Sequence, residues 1–191
     1  MNAAPTNSMA ATTAPDASGV IVNFVAFQVG WFACVLGAAH GWPWTGTAVA
    51  AAVVALHLQR AARPVEELKL VSVALAIGVL WDSLLINLDL IEFSSGTLIE
   101  GVAPQWILAL WALFATTLNV SLRWLKHRRL VAVLLGVAAG PLSYWAGARL
   151  GALELIDPVP ALTALAIGWA LMTPLLLALA QRFDGVRATN R

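Results

Sequence analysis

The sequence predicts an all-α membrane protein: one bundle of six transmembrane helices with both termini in the cytoplasm. Three observations carry this. Of the 191 residues, 60% are hydrophobic and only 11% are charged, against roughly a quarter charged in soluble domains. The apolar residues fall into runs near the length of about 20 that a helix needs to cross the hydrocarbon core. The Lys and Arg residues gather in alternate connections, as the positive-inside rule requires.

Each element follows in order. The opening "MNAAPTNSMAATTAPDASG", residues 1–19, has no Lys or Arg. It reads as a disordered tail and not as a signal peptide, which needs a basic start. The membrane domain runs over residues 20–182, with spans at about 20–40, 44–59, 68–90, 104–122, 130–150 and 158–181. Pro43, Pro104 and Pro158 sit where helices start, a position at which the missing N–H costs nothing. Residues 183–191 form a cytoplasmic C-terminal tail.

Orientation comes from the loops. Arg60, Arg63 and Lys69 follow span two. "RWLKHRR" supplies Arg123, Lys126, Arg128 and Arg129 after span four, and the tail holds Arg182, Arg187 and Arg191. Ten of the eleven basic residues therefore lie on one side, and only Arg149 lies on the other. Trp42, Trp44, Trp106 and Trp124 fit the interfacial aromatic belt. Trp31, Trp81, Trp111 and Trp169 fall mid-span, where they pack helices or line a lipid cavity.

A rise of 1.5 Å per residue assigns each polar group a depth. Asp82 in "AIGVLWDSLLINLDL" is the deepest charge. Ser143 and Tyr144 lie at nearly its level, and Gln28, Thr116 and Thr173 slightly further in. This midplane site predicts a hydrogen bond from Tyr144 or Ser143 to Asp82, with Gln28 as a further partner. Asn23, His57 and Asn119 form an inner polar layer. Asp89 and Arg149, with Glu92 and Glu154, lie level at the outer edge. A charge in lipid is costly, so such groups face the bundle interior. The alternative is that they only join helices, at about 0.6 kcal/mol per contact. Pro141 and Pro174 interrupt spans five and six and predict kinks there. "IEFSSGTLIEGVAP", residues 91–104, reads as a solvated outer loop, with a cap over the bundle as the alternative.

Other chemistry is excluded or left open. A net charge of +1 gives no footprint for nucleic acid. His40, His57 and His127 lie apart, so no metal site is expected. No cofactor motif, P-loop or GxSxG is present, and no catalytic residue is assigned. Three GxxxG spacings, Gly37/Gly41, Gly136/Gly140 and Gly147/Gly151, permit close helix approach within or between chains. They leave a homo-oligomer open.

The segments "NFVAFQVGWFACVLGAAHGWPW", "WDSLL", "APQWILALWALFATTLNVSLRWL" and "GPLSYWAGARLGA" resemble a family of small bacterial inner-membrane proteins, domain-of-unknown-function 2878. The resemblance runs from Asn23 to about Gly185. It implies no established activity and transfers no catalytic residue. Genes of that family lie near genes resembling fatty-acid-modifying enzymes, which implies membrane lipids and lipid-modifying proteins as partners. Three functional classes follow: a small carrier or lipid-handling protein with a cavity at Asp82, an intramembrane enzyme or enzyme partner acting on lipid, and a structural accessory subunit.

Overall fold

The computed structural model describes residues 17–186 and contains six helices. They are α1 (Ala17–Ala39), α2 (Pro43–Arg60), α3 (Pro64–Asn87), α4 (Gln105–Leu118), α5 (Arg129–Arg149) and α6 (Pro158–Arg182). The disordered-tail reading of residues 1–16 and the last part of the C-terminal tail lie outside the described residues. Residues 17–19 already belong to α1.

Prolines set several of the starts. Pro43, Pro64 and Pro158 each open a helix, and Asp157 caps α6 by accepting from the Val159 N–H at 3.3 Å. Pro104 is the residue just before α4. The helices run on through Pro141 and Pro174.

α1, α3, α5 and α6 are long and apolar enough to cross a membrane. α4 has 14 residues, about 21 Å at 1.5 Å each, short of the roughly 30 Å hydrocarbon core. Its surroundings explain the length. α4 packs against α1, α2, α3 and α6, and no residue from Gln105 to Val120 is exposed. A helix wrapped by others borrows their span. It also ends earlier than the sequence suggests, because Val120 and Leu122 fold back to donate to the Thr117 carbonyl.

The outer faces are apolar. Ile21, Val25, Val29 and Phe32 of α1, with Leu80 of α3 and Leu171 of α6, are all exposed. Such a stripe is solvated by lipid at no cost. The interior holds two apolar clusters, an outer one around Val35, Leu85, Trp106 and Leu165 and an inner one around Leu70, Leu118, Met172 and Leu176.

The helices divide into two groups. α1 to α4 pack together, α5 packs mainly on α6, and α6 touches α3 and α4. α1 and α5 do not pack along their lengths.

The stretch 91–104, expected as a solvated loop, begins as a strand. β1 (Ile91–Phe93) pairs antiparallel with β2 (Leu153–Leu155), with Glu92 opposite Glu154. Ile91, Phe93, Leu153 and Leu155 are buried beneath the ribbon. It therefore caps the outer end of the bundle. Trp106 is a correction to the interfacial belt: it is buried under this cap, edge-on to Phe93, and donates to the Ser95 carbonyl at 3.0 Å.

Of the three glycine spacings, only Gly136/Gly140 acts along one helix contact. A Cβ on either would strike the Trp169 backbone or ring, so these glycines let α5 lie against α6. Gly41 and Gly151 sit in turns with φ of 76° and 87°, which side chains disfavour. Gly140→Leu should therefore lower stability by about 1–3 kcal/mol through overpacking, read as earlier thermal unfolding in mild detergent. Ala138→Leu, on the exposed face of α5, should leave the midpoint nearly unchanged.

Candidate functional site

Asp82 lies on the inward stripe of α3, with Val71, Ala74, Gly78 and Leu85, the i, i+3, i+4 pattern of a buried helix face. It is fully buried. Tyr144 donates its hydroxyl to Asp82 Oδ1 at 2.5 Å, and the Trp111 indole N–H donates to Oδ2 at 2.6 Å. Gly78 makes room for this, since a Cβ there would strike the Trp111 ring. Trp111 in turn stacks on Trp169, with centroids 5.0 Å apart and planes 11° apart. One carboxylate thus joins α3, α4 and α5, with α6 held through the stacked rings.

The other predicted midplane residues do not reach Asp82. Ser143 neighbours Tyr144 on α5 and so points about 100° away around the helix. Its oxygen accepts from the Trp31 indole N–H at 3.1 Å. Gln28 lines a cleft that Asp82 does not reach. Thr116 donates to the Leu113 carbonyl of its own helix at 2.7 Å and is fully buried, so it is not part of the site. The reason is rotational: a shared depth does not fix a shared direction.

A cleft of about 430 Å³ lies between α1 and α4 on one side and α5 and α6 on the other. Phe27, Trp31, Leu110, Phe114, Leu135 and Trp169 give it mostly apolar walls. Gln28, Ser143, Tyr144 and Thr173 supply its polar points. Ala139 and Leu142, also in the lining, are exposed, so the cleft opens at the flank of α5. Asp82 is not in the lining. Trp111 and Tyr144 stand between the carboxylate and the cleft, so a cavity opening directly onto Asp82 is not what the chain builds. Asp82 orients two wall residues from behind.

Trp111 was missed as a polar partner because a mid-span indole reads as packing. The depth count contained the signal. Trp111 lies about as far from the outer end of α4 as Asp82 does from the outer end of α3.

The inner polar layer is larger than the sequence suggests. Glu67, fully buried, accepts from Asn119 Nδ2 at 2.6 Å and from the Gly185 N–H at 2.7 Å, and its other oxygen lies 2.7 Å from His57 Nε2. Lys126 donates to Asn119 Oδ1 at 2.5 Å and to Asp184 Oδ2 at 3.0 Å. Arg123 donates to the same Asp184 oxygen at 2.8 Å. Burial pulls the Lys126 ammonium below the usual lysine range, opposed by its hydrogen bond and ion pair with Asp184. Asn23 belongs to a separate group: it accepts from Ser121 at 2.7 Å and donates to the Thr116 carbonyl at 3.2 Å. The sequence marks Lys126 only as a basic residue of the connection after span four, and nothing in the spacing of Glu67 and Asp184 shows that they meet near it. The network holds the chain after α6 against the inner ends of α3 and α4. A smaller cavity of about 210 Å³ beside it is lined by Asn23, His57 and Arg60 among apolar residues.

At the outer edge no ion pair joins Asp89 and Arg149 among the described residues. Asp89 sits in a turn with φ 52°, and the Arg149 guanidinium lies over the Trp145 ring at 6.0 Å. No group of three His, Cys, Asp or Glu side chains among the described residues is placed to hold a metal ion.

A family model described as "Protein of unknown function (DUF2878)" matches residues 20–175. No curated protein and no solved structure matches the chain.

Two substitutions test this geometry. Tyr144→Phe removes one of the two donors to a buried carboxyl and should cost about 1–3 kcal/mol, seen as a lower unfolding midpoint in detergent. Glu67→Ala removes the shared partner of His57, Asn119 and the Gly185 N–H, leaving Asn119 Nδ2 only the Phe183 carbonyl. It should cost more, roughly 3–5 kcal/mol, and open the segment after α6 to proteolysis. A Glu67→Ala protein as stable and protected as the parent would contradict the network.

Proposed function

The chain belongs to that family of unknown function, and from this premise we propose a six-span protein of the bacterial inner membrane that works as a small carrier or lipid-handling protein. Both termini lie in the cytoplasm. Support for the topology is the placement of basic residues: among the described residues, eight of nine fall at one end of the helices, which the positive-inside rule assigns to the cytoplasm. α2 and α4 complete the six spans although α4 is short and α2 less apolar, because α4 is enclosed by its neighbours and α2 leans on α1 and α4.

The cleft between the two helix groups carries the functional reading. Its volume of about 430 Å³ falls within the range of about 300–1,000 Å³ typical of small-molecule sites. Its walls are apolar and its opening lies on a face that lipid solvates, so an apolar chain reaches it without crossing water. Asp82 serves the site indirectly, by fixing the Trp111 and Tyr144 wall.

Two measurements test this. Protein purified in mild detergent should carry apolar ligand that mass spectrometry detects. Ala139→Phe, which fills the cleft, should reduce that load several-fold with the protein still folded. An unchanged load would count against the cleft as the site. Reporter fusions should put the C-terminus in the cytoplasm, and a reporter active only outside the cytoplasm would overturn the six-span topology.

A further inference from the structure

The cleft contains polar groups whose bonding capacity is unspent. Among the described residues, the Gln28 amide and the Thr173 hydroxyl line the cleft and take part in no side-chain hydrogen bond. The Ser143 oxygen accepts from Trp31, and its own proton is unspent. Tyr144 gives its proton to Asp82, so its lone pairs remain available.

Two of these groups lie close in depth. Trp31 of α1 bonds Ser143 of α5, and Gln28 lies three residues inward of Trp31, about one helical turn. Thr173 lies apart, beside Gly136 of α5, seven residues and about 10 Å inward of Ser143. In the hydrocarbon core an unpaired polar group costs several kcal/mol, because no water is present to take its hydrogen bonds. Several such groups facing one apolar cavity need an occupant that bonds them. The lining contains no Lys, Arg, Asp, Glu or His. A carboxylate or phosphate there would lose its hydration with no counter-charge, a large penalty. The occupant is therefore uncharged where it meets these groups.

We propose that the cleft binds a long apolar chain bearing one uncharged oxygen group, a carbonyl or hydroxyl, part-way along its length, bonded by Gln28 and Ser143. This rests on the lipid-handling reading and names the ligand class of that same cleft. The donors reach an oxygen at mid-membrane, which an ordinary saturated chain lacks and a headgroup does not reach.

The test uses dioctyl ketone with an isotope-labelled carbonyl and heptadecane, its hydrocarbon counterpart. Each is titrated into the full chain in lipid nanodiscs, with tryptophan fluorescence as the binding signal. The ketone should bind about tenfold more tightly, as one or two added hydrogen bonds would give. Its carbonyl infrared band should move to lower frequency than in empty nanodiscs. In Gln28→Leu and Ser143→Ala, each checked for monodisperse elution, the ratio of ketone to alkane affinity should fall toward one. Equal affinities in the parent protein, with an unshifted carbonyl band, would overturn the proposal and assign the unspent groups to water, while leaving the lipid-handling reading standing. If neither probe binds, the cleft is not a lipid site and both readings fall.

Discussion

The fold depends on one buried carboxylate. Asp82 accepts from Trp111 and from Tyr144, one donor to each oxygen, and so ties α3 to α4 and to α5. The tie matters because α5 otherwise rests mainly on α6. In lipid the apolar contacts between helices have little advantage over contacts with acyl chains, so packing and polar bonds decide which helices stay together. The bond also explains why the residue is an aspartate. Asparagine would accept from Trp111 through its carbonyl but offer an NH₂ to Tyr144. The hydroxyl would then have to accept, and its proton would turn elsewhere. The carboxylate keeps both donors pointed inward and leaves the Tyr144 lone pairs toward the cleft.

From that constraint the architecture follows as two packed groups with a gap. α1 to α4 form one, α5 and α6 the other, and the gap between α1 and α5 is crossed by the Trp31–Ser143 hydrogen bond. The far ends are closed by different means. At one end, the β1–β2 ribbon joins the α3–α4 and α5–α6 connections over an apolar floor. At the other, Glu67, Asn119, Lys126 and Asp184 bind the end of α6 to α3 and α4. The ends are fixed, and the cleft opens between them at the flank of α5.

Much of this was legible in the sequence. Apolar runs, proline starts and the clustering of Arg and Lys located the helices, and counting depth levelled Asp82 with Tyr144. What stayed hidden has a common cause: sequence gives height along a helix but not rotation about it. Ser143 and Tyr144 share a level, yet one bonds Trp31 and the other Asp82. The short reach of α4 was hidden because residues 119–122 are as helix-compatible as those before them, and only the turn at Thr117 ends it. The ribbon joins two three-residue strands far apart in the chain, too short to show a period. Glu67 and Asp184 meet only after folding, so each reads alone as an interfacial charge.

The central claim is that Asp82 holds the α5–α6 pair in place across the cleft. Spin labels at Val25 on α1 and Leu134 on α5, both exposed, report that separation directly by pulsed dipolar spectroscopy. The account predicts one narrow distance distribution in the parent protein and a broad or shifted one in Asp82→Ala. The same narrow distribution in both would contradict it.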